Sequence, residues 1–238
     1  MTANPFDDPR LAPGYEDWYS RPGKRADRLE KDLLAKMLAL FPQANRVLEV
    51  GCGTGHFSRW LAARGFQTVG LDCSTPMLQQ ARRHTGVAYV RGDAHALPFA
   101  DRAFDLVLMV TTLEFLPQPS MAIAEAMRVA RQGLLLGALN RWSALAIRRR
   151  IFSTNIWRAA HLYSVRQLAQ LTREAASARV RAIHWRTTLW PIPWLKDLSL
   201  PWGGFIAWAV ELDRMDDKPL ASRNDDGTVF AVGRSKAN

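Results

Sequence analysis

The chain has 238 residues, of which 48% are hydrophobic and 23% are charged, a balance that is typical of globular proteins and excludes a disordered chain. Its two cysteines, Cys52 and Cys73, exclude a disulfide framework and favour a cytoplasmic location. The net charge of +10 invites a nucleic-acid partner, but only residues 148–150 form an arginine run and no nucleic-acid-binding module accompanies it, so we interpret the charge as a solvated surface.

Neither a signal peptide nor a membrane span is expected. The first residues are polar and contain prolines, without a basic start or an apolar run. The most apolar stretch, residues 189–212, is interrupted by prolines and charges before it reaches the roughly 18 residues of a span. Acidic substrates and a peripheral contact with membrane headgroups stay open.

Helices and strands alternate through the first half of the chain. Apolar spacing predicts a helix over residues 29–40, and apolar runs predict strands over 46–50, 67–71, 87–91, 104–110 and 133–139. Helices are predicted between them at 56–64, 74–83 and 120–131, the last capped by Ser120. This alternation indicates an α/β fold with a mostly parallel sheet and helices on both faces.

The second half is less regular. Ser164 and Gln167 predict a capping box for a helix that ends near residue 176, and strands are predicted at 179–187 and 228–233. Between these strands we place an insertion, residues 188–226, that is rich in Trp and Pro. Its indoles either cover the core, or form a lid or funnel for an apolar acceptor, or touch a membrane surface. These indoles are Trp190, Trp194, Trp202 and Trp208.

The segment VLEVGCGTGHFS, residues 47–58, joins an apolar strand to a helix through an acid and a glycine loop. Glycines let the backbone turn tightly and approach a ligand closely. A dinucleotide fingerprint would need glycine or alanine where His56 stands, and a phosphate-binding loop would need a lysine followed by Ser or Thr. Neither nucleotide motif is present.

The same segment resembles the first motif of the class I S-adenosylmethionine-dependent methyltransferases, especially the branch that includes the ubiquinone and menaquinone C-methyltransferases. LDCSTPMLQQAR, RGDAHALPFADRAFDLVLMV and EAMRVARQGLLLGALN resemble the later motifs in the same order. The resemblance implies a Rossmann-like fold with a seven-stranded sheet and S-adenosylmethionine as cofactor. It implies one domain over residues 1–238, with cap helices in 1–45, the cofactor half in 46–140 and the substrate half in 141–238.

The resemblance also implies roles for single residues. Glu49 matches the acid that anchors the loop or the cofactor's ammonium group, Asp72 the acid that binds the ribose hydroxyls, and Asp93 the acceptor of the adenine amino group. Helix 14–28 matches the one that closes over the cofactor. The expected cofactor-binding residues are Tyr19, Glu49, Gly51, Cys52, Gly53, Gly55, Asp72, Cys73, Met77, Asp93, Ala94 and Thr111.

The sequence says less about the methyl acceptor than about the cofactor. Base candidates are His161, Tyr163, Glu114 and His56, none favoured enough to be named catalytic, and no metal site is predicted. The sequence after the fourth strand lacks Asn-Pro-Pro-Tyr and the chain lacks Pro-Cys, which argues against nucleobase methylation. We expect a small or medium-sized, partly apolar acceptor. An RNA- or protein-directed methyltransferase, a non-catalytic cofactor-binding protein and, more remotely, a nicotinamide dehydrogenase are the alternatives.

Overall fold

The computed structural model describes residues 4–21, 23–143, 160–176, 179–189 and 197–213. Its strands are β1 Arg46–Val50, β2 Gln67–Asp72, β3 Ala88–Arg91, β4 Phe104–Val110, β5 Ala130–Leu139, β6 Val180–Thr188 and β7 Phe205–Leu212. Its α-helices are α1 Ala12–Tyr15, α2 Asp17–Ser20, α3 Lys24–Leu38, α4 His56–Ala62, α5 Thr75–Ala81, α6 Pro119–Val129 and α7 Val165–Ala175. Two 3-10 helices cover Pro5–Asp7 and Leu113–Phe115.

The seven strands form one sheet in the order β3-β2-β1-β4-β5-β7-β6. Strands β1 to β5 pair in parallel, whereas β7 is antiparallel to both β5 and β6. The predicted α/β class and mostly parallel sheet are confirmed. Because the first five strands run the same way, their C-terminal ends meet along one side of the sheet, which we call the carboxyl edge, and ligands of such sheets bind there.

Apolar side chains pack on both faces of the sheet. One hydrophobic cluster joins the sheet to α6 and α7, and the other joins it to α3 and α4. Every residue of β4 is buried, as expected for a central parallel strand that is covered on both sides. This double burial explains why β4 is one continuous apolar run in the sequence.

The segment 188–226 was predicted as an insertion, and this is wrong for Phe205–Leu212, which forms β7. Trp208 is only 2% exposed, and its indole N–H donates to Thr172 on α7 over 3.1 Å. The run FIAWAV after two glycines is itself the pattern of a buried strand. The strand predicted at 228–233, Trp190, Trp194 and the arginines 148–150 lie outside the described residues.

Several helix ends differ from the predicted bounds by a few residues, and the start of α6 shows why. Helix α6 begins at Pro119 after Gln118, without a side-chain cap, because proline already has the backbone angle of a first helical residue; Ser120 is not its cap. The capping box of Ser164 and Gln167 is confirmed. None of the helices in the described ranges is long and apolar enough to cross a membrane.

Candidate cofactor and acceptor site

The glycine loop connects β1 to α4 at the carboxyl edge. Gly51, Gly53 and Gly55 all have positive φ, at 73°, 53° and 81°. A Cβ on Gly51 would overlap the side chain of Thr112, which follows β4, whereas a Cβ on Gly53 would meet nothing within 4 Å. The loop is therefore packed against β4 at Gly51 and open at Gly53, where a ligand could approach the backbone.

Asp72 ends β2 beside this loop and fastens it. Its Oδ2 accepts the N–H of Gly53 at 2.7 Å, and its Oδ1 accepts the N–H of Ser74 at 2.8 Å. Burial raises the pKa of the carboxyl, against the opposing effect of these N–H groups. A carboxylate has about four lone-pair sites, so Asp72 can hold the loop and still accept a hydrogen bond from a ligand hydroxyl.

Glu49 lies beneath the loop and is almost fully buried, at 2% exposure. Its Oε2 accepts a hydrogen bond from the Ser58 hydroxyl on α4, which is fully buried. Burial raises the pKa of Glu49 from 4.5 to about 8, and the nearby charge of Asp72 acts in the same direction. The acid thus joins the strand before the loop to the helix after it. Ser58 stands inside the quoted motif, but its side-chain role had not been predicted.

The residues expected around adenine lie next to Asp72. The N–H of Gly92 donates to the Asp72 carbonyl at 3.0 Å, which brings the ends of β2 and β3 together. Asp93 is exposed, and hydrogen bonds from His95 lower the pKa of its carboxyl. Met77 and Ala94 are buried at 1% and 8% exposure.

The two cysteines are protonated thiols at neutral pH. Burial raises the pKa of Cys52 well above its usual value and that of Cys73 to about 11. Cys73 is exposed and accepts a hydrogen bond from the Asn4 side chain at 3.3 Å. Neither cysteine is therefore expected to act as a nucleophile, because the reactive form of cysteine is the thiolate.

Thr111 follows β4 in a strained conformation. Its φ is 51°, which is rare for a β-branched residue, and its N–H donates to the Gly137 carbonyl at 2.7 Å. Such strain persists only where the surroundings enforce it, and it concentrates at functional sites. It turns the chain so that Thr112 packs against Gly51.

Helices α2 and α3 reach the glycine loop through contacts that had not been predicted. Tyr19 stacks on His56, with ring centroids 3.7 Å apart and planes 12° apart. His56 Nε2 lies 2.7 Å from a carboxylate oxygen of Asp27 on α3. Arg59 donates both to the Thr54 carbonyl and to Glu16, just before α2. Tyr19 therefore lies beside the start of α4, next to the glycine loop, and His56 contacts both α2 and α3.

The first described residues also cross the carboxyl edge. The ring of Phe6 packs edge-on against Phe115, beyond β4, with centroids 4.8 Å apart, and against Tyr15 at 6.2 Å. The Ser74 hydroxyl donates to the Phe6 carbonyl at 2.7 Å. No sequence pattern pointed to Phe6. Phe6, Tyr15 and Phe115 thus form an aromatic cluster, which we call the aromatic cover, and through Phe6 this cluster connects the segment after β2 with the segment after β4.

The remaining base candidates lie at the ends of β4 and β5. The buried carboxylate of Glu114 accepts the N–H of Leu139 at 2.6 Å, and the hydroxyl of Tyr163 donates to the Leu113 carbonyl at 3.1 Å. Both side chains are therefore hydrogen-bonded to the backbone at the ends of these strands. His161 is exposed, and its ring packs against Tyr163 with centroids 4.8 Å apart. In the described ranges no cluster of three or more His, Cys, Asp or Glu could hold a metal.

The strand order, the antiparallel β7 and the glycine loop beside a strand-end acid define the class I methyltransferase fold. Residues 48–136 match the family described as a methyltransferase domain. An uncharacterized protein of Mycobacterium tuberculosis is 34% identical over 230 residues, which are 90% of this chain and 77% of that protein. A demethylmenaquinone methyltransferase of Renibacterium salmoninarum is 36% identical over 129 residues, 54% of this chain and 53% of its own length.

A solved structure with a similar fold is also that of a methyltransferase. The crystal structure of an S-adenosylmethionine-dependent methyltransferase from Thermotoga maritima, described as a possible histamine N-methyltransferase, superposes with a TM-score of 0.69 at 25% identity. The match covers 86% of this chain and 98% of that one. The chain belongs to the class I S-adenosylmethionine-dependent methyltransferases, and S-adenosylmethionine is its cofactor.

Proposed function

We propose that this methyltransferase transfers the methyl group of S-adenosylmethionine to a small or medium-sized, partly apolar acceptor. The observation that carries the proposal is the aromatic cover over the carboxyl edge, in which Phe6 bridges Tyr15 and Phe115. Such a cover suits an apolar acceptor and excludes water from the reacting groups. The demethylmenaquinone methyltransferase among the relatives supports the same class of acceptor.

The site residues fit the cofactor. The open side of Gly53 leaves room for the methionine part, and Asp72 can accept from the ribose hydroxyls with charge-assisted hydrogen bonds. Asp93 would accept from the adenine amino group, and the N–H of Ala94 would donate to the ring. Glu49, Gly51, Cys52 and Gly55 would shape the loop, Cys73 and Met77 would flank the adenine, and Thr111 and Tyr19 would line the reacting end.

The cofactor supplies an activated methyl group bound to a sulfonium. The chain's own contribution is to bind both reactants, to align the acceptor in line with the methyl group and to exclude water; alignment alone contributes roughly 7–11 kcal/mol to such reactions. Asp72 and Gly53 set the position of the cofactor, while Phe6, Tyr15 and Phe115 enclose the acceptor. A base is needed only for an acceptor that must lose a proton as it is methylated.

Two glycine substitutions test the cofactor site against a matched control. Gly53 and Gly65 both have positive φ, and a Cβ would meet nothing within 4 Å at either position. Gly53→Ala and Gly65→Ala should therefore lower stability by a similar amount, about 1 kcal/mol. Only Gly53→Ala should weaken S-adenosylmethionine binding in calorimetry, by at least about tenfold, since ~1.4 kcal/mol is lost when the backbone cannot be approached.

A panel of acceptors then tests the reaction itself. We expect methyl transfer from labelled cofactor to apolar phenols or quinols, and none to RNA or protein. Equal cofactor affinity of the Gly53→Ala and Gly65→Ala proteins would contradict the placement of the cofactor. Transfer to RNA alone, with an intact cofactor site, would contradict only the class of acceptor.

A further inference from the structure

Two indoles project from the surface near the ends of β5 and β7. Trp142, which follows β5, is 62% exposed, and Trp202, which precedes β7, is 58% exposed; Leu200 beside it is 43% exposed. These three are half of the six large hydrophobic side chains that are exposed in the described ranges. We call them the indole surface. Concentrated exposed apolar groups of this kind mark binding surfaces.

A buried asparagine joins the two segments into one surface. The side-chain N–H₂ of Asn140 donates to the carbonyls of Pro201 and Gly203 at 2.7 and 2.8 Å, and its oxygen accepts the N–H of Trp142 at 3.1 Å. Asn140 is fully buried. One side chain therefore joins the backbone segments that carry Trp142 and Trp202.

The rim of the indole surface is positive. The Arg141 guanidinium lies 5.1 Å from the centroid of the Trp142 ring and donates to Gln167 at 3.3 Å, next to the exposed Arg166. Residues 141–143, 160–167 and 198–203 contain no Asp or Glu. The nearest acid in sequence, Asp197, is paired with Lys36 and Arg186. This rim is complementary to an anionic partner.

We propose that the indole surface docks on a lipid bilayer that contains anionic headgroups. Indole rings favour the membrane interface, because the ring is apolar while its N–H can still bond to water or headgroups. The basic rim adds attraction to anionic lipid, and the net charge of +10 acts in the same direction. The exposed aliphatic side chain of Leu200, two residues before Trp202, suits lipid better than the stacked bases of a nucleic acid.

The position of this surface extends the proposed function. His161 donates its N–H to the Glu114 carbonyl at 2.8 Å, and Arg141 donates its N–H to the Tyr163 carbonyl at 2.9 Å. One short segment thus links the end of β4 to the indole surface. A docked protein turns its carboxyl edge toward the bilayer, so an acceptor dissolved in lipid enters the site directly; this step rests on the proposed apolar acceptor.

Vesicle sedimentation of the full chain tests the docking without cofactor or acceptor. Vesicles of phosphatidylcholine with about 30% phosphatidylglycerol serve as the anionic probe, and pure phosphatidylcholine as the neutral one. We expect the protein to sediment with the anionic vesicles, and Trp142→Ser with Trp202→Ser to lower its partition coefficient by at least about tenfold, since two largely exposed rings lose their burial in lipid. Leu40→Ser, 39% exposed at the end of α3, is the matched control and should sediment like the unmodified protein.

Other results overturn the proposal. These are unmodified protein that stays in the supernatant with anionic vesicles, or a double variant that sediments equally well. An RNA complex or a dimer that the double variant loses, without any vesicle binding, assigns the surface to a different partner. Calorimetry with S-adenosylmethionine on each variant verifies the fold and separates the two proposals, because lost docking leaves cofactor affinity unchanged.

Discussion

Replacing Glu49 by glutamine should remove a pH dependence of stability that originates in one buried carboxyl. The pKa of Glu49 is about 8 in the folded protein against 4.5 in an exposed glutamate. Between these values the folded state keeps a proton that the unfolded chain has released, so stability falls as pH rises. The contribution of Glu49 is complete below about pH 4.5 and is lost as pH rises through 8.

The expected size follows from the linkage relation. One proton changes the free energy of unfolding by about 1.4 kcal/mol per pH unit, which amounts to about 2–3 kcal/mol between about pH 5.5 and 7.5. Glutamine preserves an oxygen that accepts from Ser58, so Glu49→Gln resembles the protonated acid. Subtracting the stability curves of the two proteins cancels the titrating groups that do not interact with Glu49.

Urea denaturation followed by tryptophan fluorescence, repeated across this pH range, measures the difference. Glu125→Gln is the control, because the hydrogen bonds of Arg128 lower the pKa of Glu125. Its contribution is lost only as pH falls below about 4.5, so Glu125→Gln should shift the curve without changing its slope in the range measured. Parallel curves for Glu49→Gln and the unmodified protein would show that Glu49 is ionised throughout, and the argument from burial would then fail.

Three further predictions concern the same edge of the sheet. Asp72→Ala should weaken S-adenosylmethionine binding by roughly 1.5–3 kcal/mol in calorimetry and also lower the melting temperature, because Asp72 accepts two backbone N–H groups; an unchanged dissociation constant would contradict its ribose role. Thr111→Gly should raise stability by up to about 1 kcal/mol by relieving a positive φ, while lowering turnover; lower stability in urea would mean that the conformation is not strained. Calorimetry should also show binding of S-adenosylhomocysteine but not of NAD, and tighter binding of NAD would contradict the cofactor assignment.

The first half of the fold was predictable because each local pattern agreed with the tertiary structure. β1 and β4 have the predicted bounds, since an apolar run ending in a glycine loop or at a turn leaves few alternatives. The prediction missed β7, although the run FIAWAV has the pattern of a buried strand, because residues 188–226 were interpreted by their Trp and Pro content. The tryptophans of this segment suggested a lid or funnel for the acceptor, whereas Trp208 packs against α7.

Most of the predicted site residues lie at or just after the C-terminal end of a strand, and in a parallel sheet these ends meet at one edge, which made them predictable from the sequence. Gly53, Asp72 and the end of β3 are adjacent for that reason alone. The residues that pack against these site residues could not be predicted from the sequence in the same way. Ser58 under Glu49 and Thr112 against Gly51 depend on side-chain directions that only the packed helix and strand define.

The helices before β1 are joined to the glycine loop by direct side-chain contacts. Burial acts to raise the pKa of Glu16, but the Arg59 guanidinium outweighs it, so the net shift is downward and the pair stays ionised. Arg59 also donates to the Thr54 carbonyl inside the loop, and Tyr19 stacks on His56 at the start of α4. A movement that lifts α2 must therefore break contacts with the loop itself. If the N-terminal helices act as the cap that the sequence predicts, opening that cap would break the contacts of Arg59 and His56 and so loosen the glycine loop.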